Sequence, residues 1–448
     1  THAAMTFLRG LADDMPLMDW LQQRIFPVEA KLTPEIVRLG SLLGYAEMLR
    51  TGTTACMDMY LFEEAVFEAA RTAGLRCVGG EAVFSFPSAA CPAPEAALEA
   101  TRALAQCCAG DARLSVAVNP HSVYTTTPDI LTACRDLAAE LSLPLHIHLS
   151  ETREETELCL KNHGKRPVAL CRDLGLLDLP CTLAHVVDAT EEELDILDIC
   201  LPTYLHVPTA VKAMKKGIHV LSEKPISLKE EDIELAYSTA KENNVCFMIA
   251  QVLRFWPEYE LIKELYDSGK YGKLLSGYMG RLGSYPAWSW DNWMMDEKRS
   301  GLVPYDLHIH DLDFLVYAFG KPEASLKHRA KQPNQDYLTA VYEFPGFFVT
   351  TEASWYASAY PFGASYRFQF EDALVTYEKG ECKIYENNGN IYSPTEQATG
   401  DTGSINLPKS DAYAEEIKYF KNCVLSGQFP DKVKAEELRT VVGLLNEF

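Results

Sequence analysis

Residues 190–201 read TEEELDILDICL, and the composition of the chain changes across this stretch. Before residue 196 there are three lysines and twelve arginines, whereas from residue 196 onward there are twenty lysines and six arginines. Asparagine rises from two residues to ten across the same point. Composition alone is weak evidence for a domain boundary. The alternative explanation of the change is a single domain that is rich in alanine and arginine. We interpret the stretch as a junction between two coding backgrounds.

The local pattern at the junction indicates a splice rather than a linker. Residues 191–197 are predicted to form a short helix, and residues 198–201 the next strand. Natural helix-to-strand connections use about two to six residues, often with glycine at the helix end. This prediction leaves no residues for a connection. A functional fusion is instead expected to place a flexible or charged linker between complete domains.

Length and charge limit the classes of protein to consider. The chain has 448 residues, enough for two or three domains, and its 47% hydrophobic and 23% charged residues are typical of a globular protein. The net charge of −22 argues against nucleic acid and anionic membranes as partners. The thirteen cysteines are irregularly spaced, which predicts no disulfide framework and a cytoplasmic location. We see no signal peptide and no membrane-spanning run, and because the chain begins at Thr1 we expect an upstream segment to be missing.

The first half alternates short apolar runs with amphipathic segments. Strands are predicted near residues 54–59, 76–79, 114–118, 145–149 and 181–185, with helices over residues 35–50, 62–73, 94–108, 128–141 and 153–162. Strands that alternate with helices favour a parallel sheet with crossover helices. We therefore predict part of a (β/α)8 barrel, in which chemistry takes place at the carboxyl ends of the strands.

Histidines occupy those strand ends. Alternation along a strand places His146 and His148 on one face, with Glu151 just beyond the strand. His121 and His185 also close predicted strands. Imidazoles beside a carboxylate suit a divalent metal and a proton shuttle, and ordinary core or surface histidines are the alternative. Because three consecutive strands end in histidine, we favour a functional site.

Three motifs in this half resemble one family. Residues 1–10 (THAAMTFLRG), 16–21 (PLMDWL) and 27–29 (PVE) resemble the metal-dependent amidohydrolases, and within them the 5'-methylthioadenosine/S-adenosylhomocysteine deaminases. The resemblance implies a His-x-His metal pair at the first barrel strand, so that His2 matches the second histidine and the first would lie before Thr1. It makes His148 the next ligand of zinc or another divalent metal.

The same resemblance implies roles for four further residues. Glu151 would move protons between a metal-bound water and the purine ring, and His185 would lie beside the attacking hydroxide. Glu29 and His121 would contact the nucleoside. The family's last metal ligand is an aspartate on the eighth strand, and this chain leaves the family before that strand, so we expect an incomplete metal site.

The second half begins with a new β-α-β pattern. Strands are predicted near residues 199–201, 219–221 and 245–250, and helices over residues 207–216 and 227–243, the latter capped by Ser227. After residue 283 the chain is rich in aromatic residues and alternates over residues 337–344 and 347–354. Alternation of this length predicts an open antiparallel sheet.

Two short motifs in this half carry candidate chemistry. Lys224 follows a buried strand and precedes Pro225, which restricts the lysine to extended geometry. Such a lysine could hold a substrate hydroxyl, or it could be a solvated lysine beside a turn proline. Asp306 and His310 are four residues apart, so on a helix they share a face and could act as an acid/base pair. His308 would then point elsewhere and would not form a metal pair.

Together with neighbouring motifs, these residues resemble the glucose–fructose oxidoreductase/inositol dehydrogenase family, Gfo/Idh/MocA. The motifs are residues 200–206 (CLPTYLH), 217–225 (GIHVLSEKP), 253–257 (LRFWP), 268–273 (SGKYGK) and 306–311 (DLHIHD). The resemblance implies NAD or NADP as cofactor, with His310 as base, Lys224 stabilising the developing alkoxide and Asp306 completing the catalytic set. It places four further residues beside the nicotinamide, namely Pro202, Thr203, His206 and Glu223.

The family's first β-α-β unit, with its Gly-x-Gly-x-x-Gly turn, has no match in the chain. Without those backbone amides at a helix N-terminus, the pyrophosphate of the dinucleotide has no evident site. The predicted fold is therefore a partial amidohydrolase barrel (residues 1–195), a partial Rossmann sheet (residues 196–255) and an α+β domain with an open antiparallel sheet (residues 256–448).

Three functional hypotheses remain open. The first is a fusion of an NAD(P)-dependent oxidoreductase of sugar-like alcohols with a zinc-dependent, adenosine-type deaminase, each incomplete. The second is a chimera with no competent active site, and the third is that only the deaminase half functions. The expected partners are small molecules, a nucleoside and a sugar-like alcohol, and the family resemblance implies homo-oligomers.

Overall fold

The computed structural model describes residues 1–11, 15–394 and 412–448. The chain divides into two compact units, which we call unit 1 (Thr1–Glu193) and unit 2 (Leu194–Phe448). Each unit has its own buried apolar clusters. No helix among the described residues is long and apolar enough to span a membrane.

Unit 1 alternates strands with helices. Its strands are β1 (Ala55–Met57), β2 (Arg76–Gly79), β3 (Ala82–Val83), β4 (Leu114–Val116), β5 (Asn119–Pro120), β6 (Leu145–Leu149) and β7 (Cys181–His185). Its α-helices are α1 (Leu17–Trp20), α2 (Phe26–Glu29), α3 (Pro34–Arg50), α4 (Glu63–Ala73), α5 (Pro94–Cys107), α6 (Pro128–Leu141), α7 (Arg153–His163) and α8 (Pro167–Asp173). Shorter turns of 3-10 helix are Ala3–Leu8, Leu176–Asp178 and Glu191–Glu193, and Leu21–Ile25 is a π-helical turn.

Threonines fix where three of these helices begin. The hydroxyls of Thr33, Thr127 and Thr152 accept the backbone N–H three residues ahead, at the starts of α3, α6 and α7. Each hydroxyl satisfies one of the N–H groups that a helix start leaves unpaired. Proline follows the first two threonines, where its fixed φ suits the first helical position.

The strands of unit 1 pair in parallel, in three small sheets. Ladders join β1 to β2, β2 to β4, β3 to β5 and β6 to β7. Isolated parallel bridges, such as Val118 to Leu145, continue the order between β4 and β6. At one side, the Met59 N–H donates to the Thr1 carbonyl over 3.1 Å. Consecutive parallel strands with crossover helices confirm the predicted barrel-type fold, and its strands in the described part of unit 1 are fewer than the eight of a closed barrel.

Unit 2 combines a parallel and a mainly antiparallel sheet. Its strands are β8 (Ile196–Ile199), β9 (His219–Glu223), β10 (Phe247–Ala250), β11 (Leu274–Ser284), β12 (Ala324–Gln332), β13 (Gln335–Phe344), β14 (Phe347–Tyr356), β15 (Gly363–Phe370), β16 (Ala373–Glu378), β17 (Glu381–Glu386) and β18 (Ile391–Tyr392). Its α-helices are α9 (His206–Met214), α10 (Glu230–Glu242), α11 (Pro257–Ser268), α12 (Glu297–Ser300), α13 (Ile309–Phe319), α14 (Ala412–Ser426) and α15 (Ala435–Leu445). Thr203–Leu205, Val252–Phe255 and Trp290–Met295 are 3-10 turns, and Pro304–His308 is a π-helical turn.

The two sheets match the predicted Rossmann-like and antiparallel layers. The first has the order β10-β9-β8 with parallel pairs. The second has eight strands in the order β12-β13-β14-β11-β15-β16-β17-β18. Its pairs are antiparallel except for β11 with β14, which is parallel. Along β13, residues at every second position are buried, which is the alternation that predicted a sheet with one face on the core.

Two local predictions were wrong. Ser227 does not cap α10, because the helix begins at Glu230 and the Ser227 hydroxyl bonds the Asp232 carboxylate and accepts the Lys229 N–H instead. The junction does have connecting residues. The turn Glu191–Glu193 ends early and β8 begins at Ile196, because Ile196 already pairs with His219 of β9. Leu194 and Asp195 therefore form a connection of two residues, which lies within the natural range.

Candidate functional site

Four histidine rings of unit 1 meet at the carboxyl ends of its strands. His148, near the end of β6, lies at the centre, with ring centroids 5.1 Å from His2, 4.9 Å from His121 and 5.4 Å from His185. His146 lies one pleat earlier on the same strand, 6.1 Å from His148. The structure thus brings together the histidines that sequence motifs singled out from separate strands.

Hydrogen bonds fix the tautomers of His2 and His148. Nδ1 of His2 bonds the Met59 carbonyl, and Nδ1 of His148 bonds the His121 carbonyl over 2.9 Å. Because a carbonyl oxygen only accepts, we place the proton of each neutral ring on Nδ1. Nε2 of each ring then carries a lone pair, which is the arrangement found in metal-binding histidines.

Burial keeps these imidazoles neutral. It lowers the pKa of His2 to about 3 and that of His148 to about 4, and the mutual repulsion of the two rings adds to the effect at His2. Burial likewise lowers the pKa of His146 to about 3. A metal ligand must be unprotonated, so the protonation state suits a metal.

The number of ligands in this cluster does not suit a metal ion. In the part of the chain that the structure describes, no group of three or more histidine, cysteine, aspartate or glutamate side chains is arranged to hold a metal ion. A structural zinc takes four donors, and a catalytic zinc takes three from the protein. His2 and His148 alone therefore do not make a complete metal site.

Glu151 and His185 form a polar pair beside the cluster. Glu151 Oε1 lies 3.5 Å from His185 Nε2. Burial raises the pKa of Glu151, and the nearby His185 opposes that rise. His185 and Val186 adopt left-handed backbone conformations with φ of 74° and 51°. Such conformations are strained for residues other than glycine, above all for a β-branched valine, and strain of this kind is concentrated at functional sites.

An aromatic pocket adjoins the cluster. Two cavities of about 40 and 310 Å3 share the lining residues Phe26, Glu29, Leu61 and Phe84, and the smaller one also reaches His2 and His121. Burial raises the pKa of Glu29, and a hydrogen bond from Tyr60 opposes the rise. A mainly apolar pocket with one carboxyl group suits a heteroaromatic ring that has polar edges.

In unit 2, Lys224 and Asp306 come together from distant parts of the chain. Lys224 follows β9, and its Nζ donates to the Asp306 carbonyl over 2.8 Å and to Asp306 Oδ1 over 3.1 Å. Both side chains are largely buried, with 15% and 22% of their surfaces exposed. An ammonium group has three donors, so within the described residues these bonds leave one for a ligand.

The segment that begins at Pro304 carries the other candidate residues of unit 2, Asp306 and His310. Asp306 lies in the π-helical turn Pro304–His308, and His310 lies in the first turn of α13. His308 points into the core and bonds the Tyr342 hydroxyl over 2.8 Å, which confirms that it faces away from this site. Burial and the positive charges of Lys224 and Arg281 hold the pKa of His310 well below its usual range. His310 is therefore neutral at physiological pH.

A cavity of about 200 Å3 opens beside Lys224 and Asp306. Its lining includes Thr203, His206, Glu223, Pro225, Trp288 and Trp293. His206 has both ring nitrogens on backbone carbonyls, at 2.8 Å from Pro225 and 2.6 Å from Leu201, so its side chain joins two loops. Pro202 precedes the 3-10 turn that carries Thr203. Sequence reasoning did not single out the two tryptophans, whose only signal was the aromatic enrichment after residue 283.

The parallel sheet of unit 2 has only some of the features of a site for a nicotinamide dinucleotide. The parallel sheet of unit 2 is formed, among described residues, by β8, β9 and β10. The turn after β8 is residues 200–206 (CLPTYLH), which contains no glycine. A Rossmann site needs backbone N–H groups of a glycine-rich turn at a helix start to hold the pyrophosphate. Thr203, His206 and Glu223 lie around the Lys224 cavity, and the turn after β8 lacks the glycines that a pyrophosphate site needs.

Two family profiles match the chain between residues 1 and 378. The amidohydrolase family profile matches residues 1–274, and the GFO/IDH/MocA C-terminal domain profile matches residues 259–378. The 5-methylthioadenosine/S-adenosylhomocysteine deaminase of Desulfovibrio desulfuricans is 78% identical over 197 residues, covering 44% of this chain and 45% of the relative. That of Lawsonia intracellularis is 52% identical over 254 residues, covering 57% of each. The chain thus spans about half the length of the curated relatives it matches.

Solved structures show a second fold relationship. Levoglucosan dehydrogenase in complex with NADH and levoglucosan aligns with a TM-score of 0.51 at 16% identity, covering 67% of this chain and 85% of that one. An oxidoreductase from Agrobacterium radiobacter, in complex with NAD+, L-tartaric acid and magnesium, aligns with a TM-score of 0.50 at 14% identity, covering 75% and 87%. At these identities the likeness shows the fold alone. The chain belongs to the amidohydrolase family, and it also carries a GFO/IDH/MocA C-terminal domain, so that both resemblances are confirmed.

Proposed function

We propose that unit 2 is the substrate-activating part of an NAD(P)-dependent dehydrogenase, and that its substrate is a sugar-like alcohol bound beside Lys224 and Asp306. The observation that carries the proposal is the buried Lys224–Asp306 pair at a cavity of about 200 Å3. NAD or NADP would supply the hydride acceptor when bound. We propose Pro202, Thr203, His206 and Glu223 as the residues beside the nicotinamide, with no residues proposed for the pyrophosphate.

The residues of the chain account for the proton transfer. Lys224 has a third N–H to donate to a substrate hydroxyl, and its charge stabilises the alkoxide that forms when the proton leaves. Asp306 holds the ammonium in place through two hydrogen bonds. His310, which lies one turn after Asp306, is the group that we propose as general base, and burial and the charge of Lys224 keep it neutral before the reaction.

Replacing Lys224 with alanine is expected to weaken the binding of a polyol at least about tenfold, because it removes a charge-assisted hydrogen bond of ~1.5–3 kcal/mol. Saturation-transfer NMR titrations with myo-inositol and D-glucose measure the affinity. Lys212, an exposed lysine of α9, provides the matched control as Lys212→Ala. Equal affinities for the native protein and Lys224→Ala would contradict the proposal. If the native protein binds neither polyols nor NADH, the alternative of a chimera without a competent site is favoured.

A second candidate function belongs to unit 1. The Glu151–His185 pair beside the Nε2 atoms of His2 and His148 favours a deaminase-type site, in which Glu29 and His121 contact a nucleoside. Such a site would need zinc or another divalent ion, for which His2 and His148 would supply two of the ligands. Glu151 would transfer protons, and His185 would lie beside the attacking water. Glu29 and His121 would orient the nucleoside. The third hypothesis, in which only this half functions, depends on the same residues.

We expect the purified protein to retain less than one equivalent of zinc after dialysis, because two histidines are half of a tetrahedral ligand set. Elemental analysis before and after dialysis measures the metal content. His148→Ala is expected to reduce the zinc affinity further, whereas His163→Ala, at the end of α7, is the control that leaves it unchanged. Tightly held stoichiometric zinc, together with ammonia release from methylthioadenosine, would show that the unit 1 site is complete.

A further inference from the structure

Trp288 is the most exposed large apolar side chain that lines the Lys224 cavity. It is 80% exposed, yet it shares the cavity of about 200 Å3 with Lys224 and Asp306. Trp290, two residues later, is 72% exposed and is not among the residues that line this cavity. Single exposed apolar side chains are common on protein surfaces. Trp288 lines the cavity that also contains Lys224 and Asp306, and this distinguishes it from its neighbour.

Hydrogen bonds hold the loop that presents Trp288. The Ser289 N–H donates to the Pro286 carbonyl over 3.2 Å, which closes a turn around the tryptophan. The Tyr285 N–H donates to the Tyr356 carbonyl over 3.1 Å and ties the loop to β14. Farther along, Arg299 Nη1 donates to Asp291 Oδ2 over 3.0 Å. A loop tied at these points loses little conformational entropy when a ligand packs on it.

The cavity therefore offers two kinds of contact on one ligand. Lys224 and Asp306 provide charged donors and acceptors for hydroxyl groups, and the Trp288 indole provides a flat apolar surface. A pyranose or a cyclic polyol has both hydroxyls and a face of C–H groups, so it can use both contacts together. An acyclic polyol has the hydroxyls but no fixed C–H face, and it must also lose bond rotations on binding.

We propose that Trp288 is a stacking platform that makes this cavity select pyranoses and cyclic polyols over acyclic polyols. The proposal rests on the proposed function, because it assumes that the Lys224 cavity binds a sugar-like alcohol. To the proposed function it adds a residue that determines specificity, Trp288. It also narrows the substrate class from sugar-like alcohols in general to cyclic ones.

The test compares a cyclic with an acyclic polyol of six hydroxyl groups, myo-inositol and D-sorbitol. Saturation-transfer NMR gives the affinities of both ligands for the full chain without dinucleotide, so the readout does not depend on turnover. The variants are Trp288→Ala, Trp288→Phe and the matched control Trp290→Ala. Because both tryptophans are mostly exposed, the alanine variants are expected to fold, and circular dichroism checks this.

The expected result is about a tenfold loss of myo-inositol affinity in Trp288→Ala, the fold-change of one aromatic contact, with little change for D-sorbitol. Trp288→Phe should restore part of the preference, and Trp290→Ala should keep all of it. If Trp288→Ala leaves the preference intact while Lys224→Ala lowers both affinities, the platform is overturned and the proposed function stands. If neither Trp288→Ala nor Lys224→Ala changes any affinity, both are overturned. If both tryptophan variants lose affinity equally, the platform role of Trp288 is overturned.

Discussion

Arg254→Ala is expected to lower the free energy of unfolding of unit 2 by about 3 to 5 kcal/mol, the cost of breaking a buried ion pair by removing one partner. The Arg254 side chain is fully buried. Its Nε and Nη2 donate to the two oxygens of Asp313 over 2.9 and 2.6 Å, and its Nη1 donates to the Lys432 carbonyl and to Glu437. Without the guanidinium, Asp313 keeps a buried carboxylate with no countercharge.

The measurement is chemical denaturation of the full chain, followed by the fluorescence of the tryptophans. Five of the six tryptophans lie in unit 2, so the signal reports mainly on that unit. Arg439→Ala is the matched control, since Arg439 bonds Glu234 over 2.8 Å in a pair whose side chains are 42% and 72% exposed. An exposed pair contributes about 0–1 kcal/mol. Arg254→Lys should fall between the two, because an ammonium cannot make the bidentate contact. Similar shifts for Arg254→Ala and Arg439→Ala would contradict the role of burial.

The arginine also connects stability to the candidate site. Arg254 lies just after β10, Asp313 lies in α13, and Glu437 lies in α15, so one side chain ties three elements together. Helix α13 carries His310 and continues the turn that holds Asp306. Arg254 therefore holds in place the helix that carries His310. The LRFWP motif marked it in the sequence, but the motif did not show which carboxylates it binds.

Local pattern was sufficient to predict most elements near the candidate sites. The strands Leu145–Leu149 and Cys181–His185 and the helix Pro128–Leu141 have the predicted bounds. In these segments the apolar periodicity, the caps and the flanking prolines all favour the same structure. At the junction they conflict, because three glutamates favour a helix while Ile196 and Leu197 pair with β9. Strand pairing is a long-range interaction, and a local pattern does not contain it.

The amidohydrolase profile continues past the junction to residue 274. From β8 to β10 the chain alternates strand and helix as unit 1 does, with parallel pairing throughout. Barrels and Rossmann sheets share this βαβ unit and differ in strand order and closure. Chemistry separates them more sharply, because barrel histidines end at His185 and the Lys224 motif begins after the junction.

The candidate sites were predictable only where a motif marks them. His146 and His148 are two residues apart and Lys224 stands beside a proline, so each could be found by local reasoning. Trp288 could not, because it lies in an irregular loop. Its position in the cavity depends on how distant segments pack. A residue that lines a cavity from a loop has no periodicity to reveal it.

Glu416 is expected to make unit 2 less stable as the pH rises, and Glu416→Gln to remove that loss. The side chain is 3% exposed, and its Oε1 has no hydrogen-bond partner among the described residues. Burial raises the pKa of Glu416 to about 8, and the carboxylates of Glu223, Asp198 and Asp313 add to the rise. The folded state therefore keeps a proton that the unfolded chain releases at its ordinary pKa.

The sign of the effect follows from proton binding in the two states. Below the ordinary glutamate pKa both states are protonated, so the native protein and Glu416→Gln should have similar stabilities. Between that pKa and about 8 the unfolded state ionises first, so the native protein loses stability with increasing pH. Glutamine does not titrate, and the variant should gain up to ~4 kcal/mol relative to the native protein by pH 8. Urea denaturation from pH 5 to pH 9 measures the difference, with Glu415→Gln as the control because Glu415 is exposed and pairs with Lys418. A difference between Glu416→Gln and the native protein that stays constant with pH would indicate altered packing, and the buried carboxyl would then not be its cause.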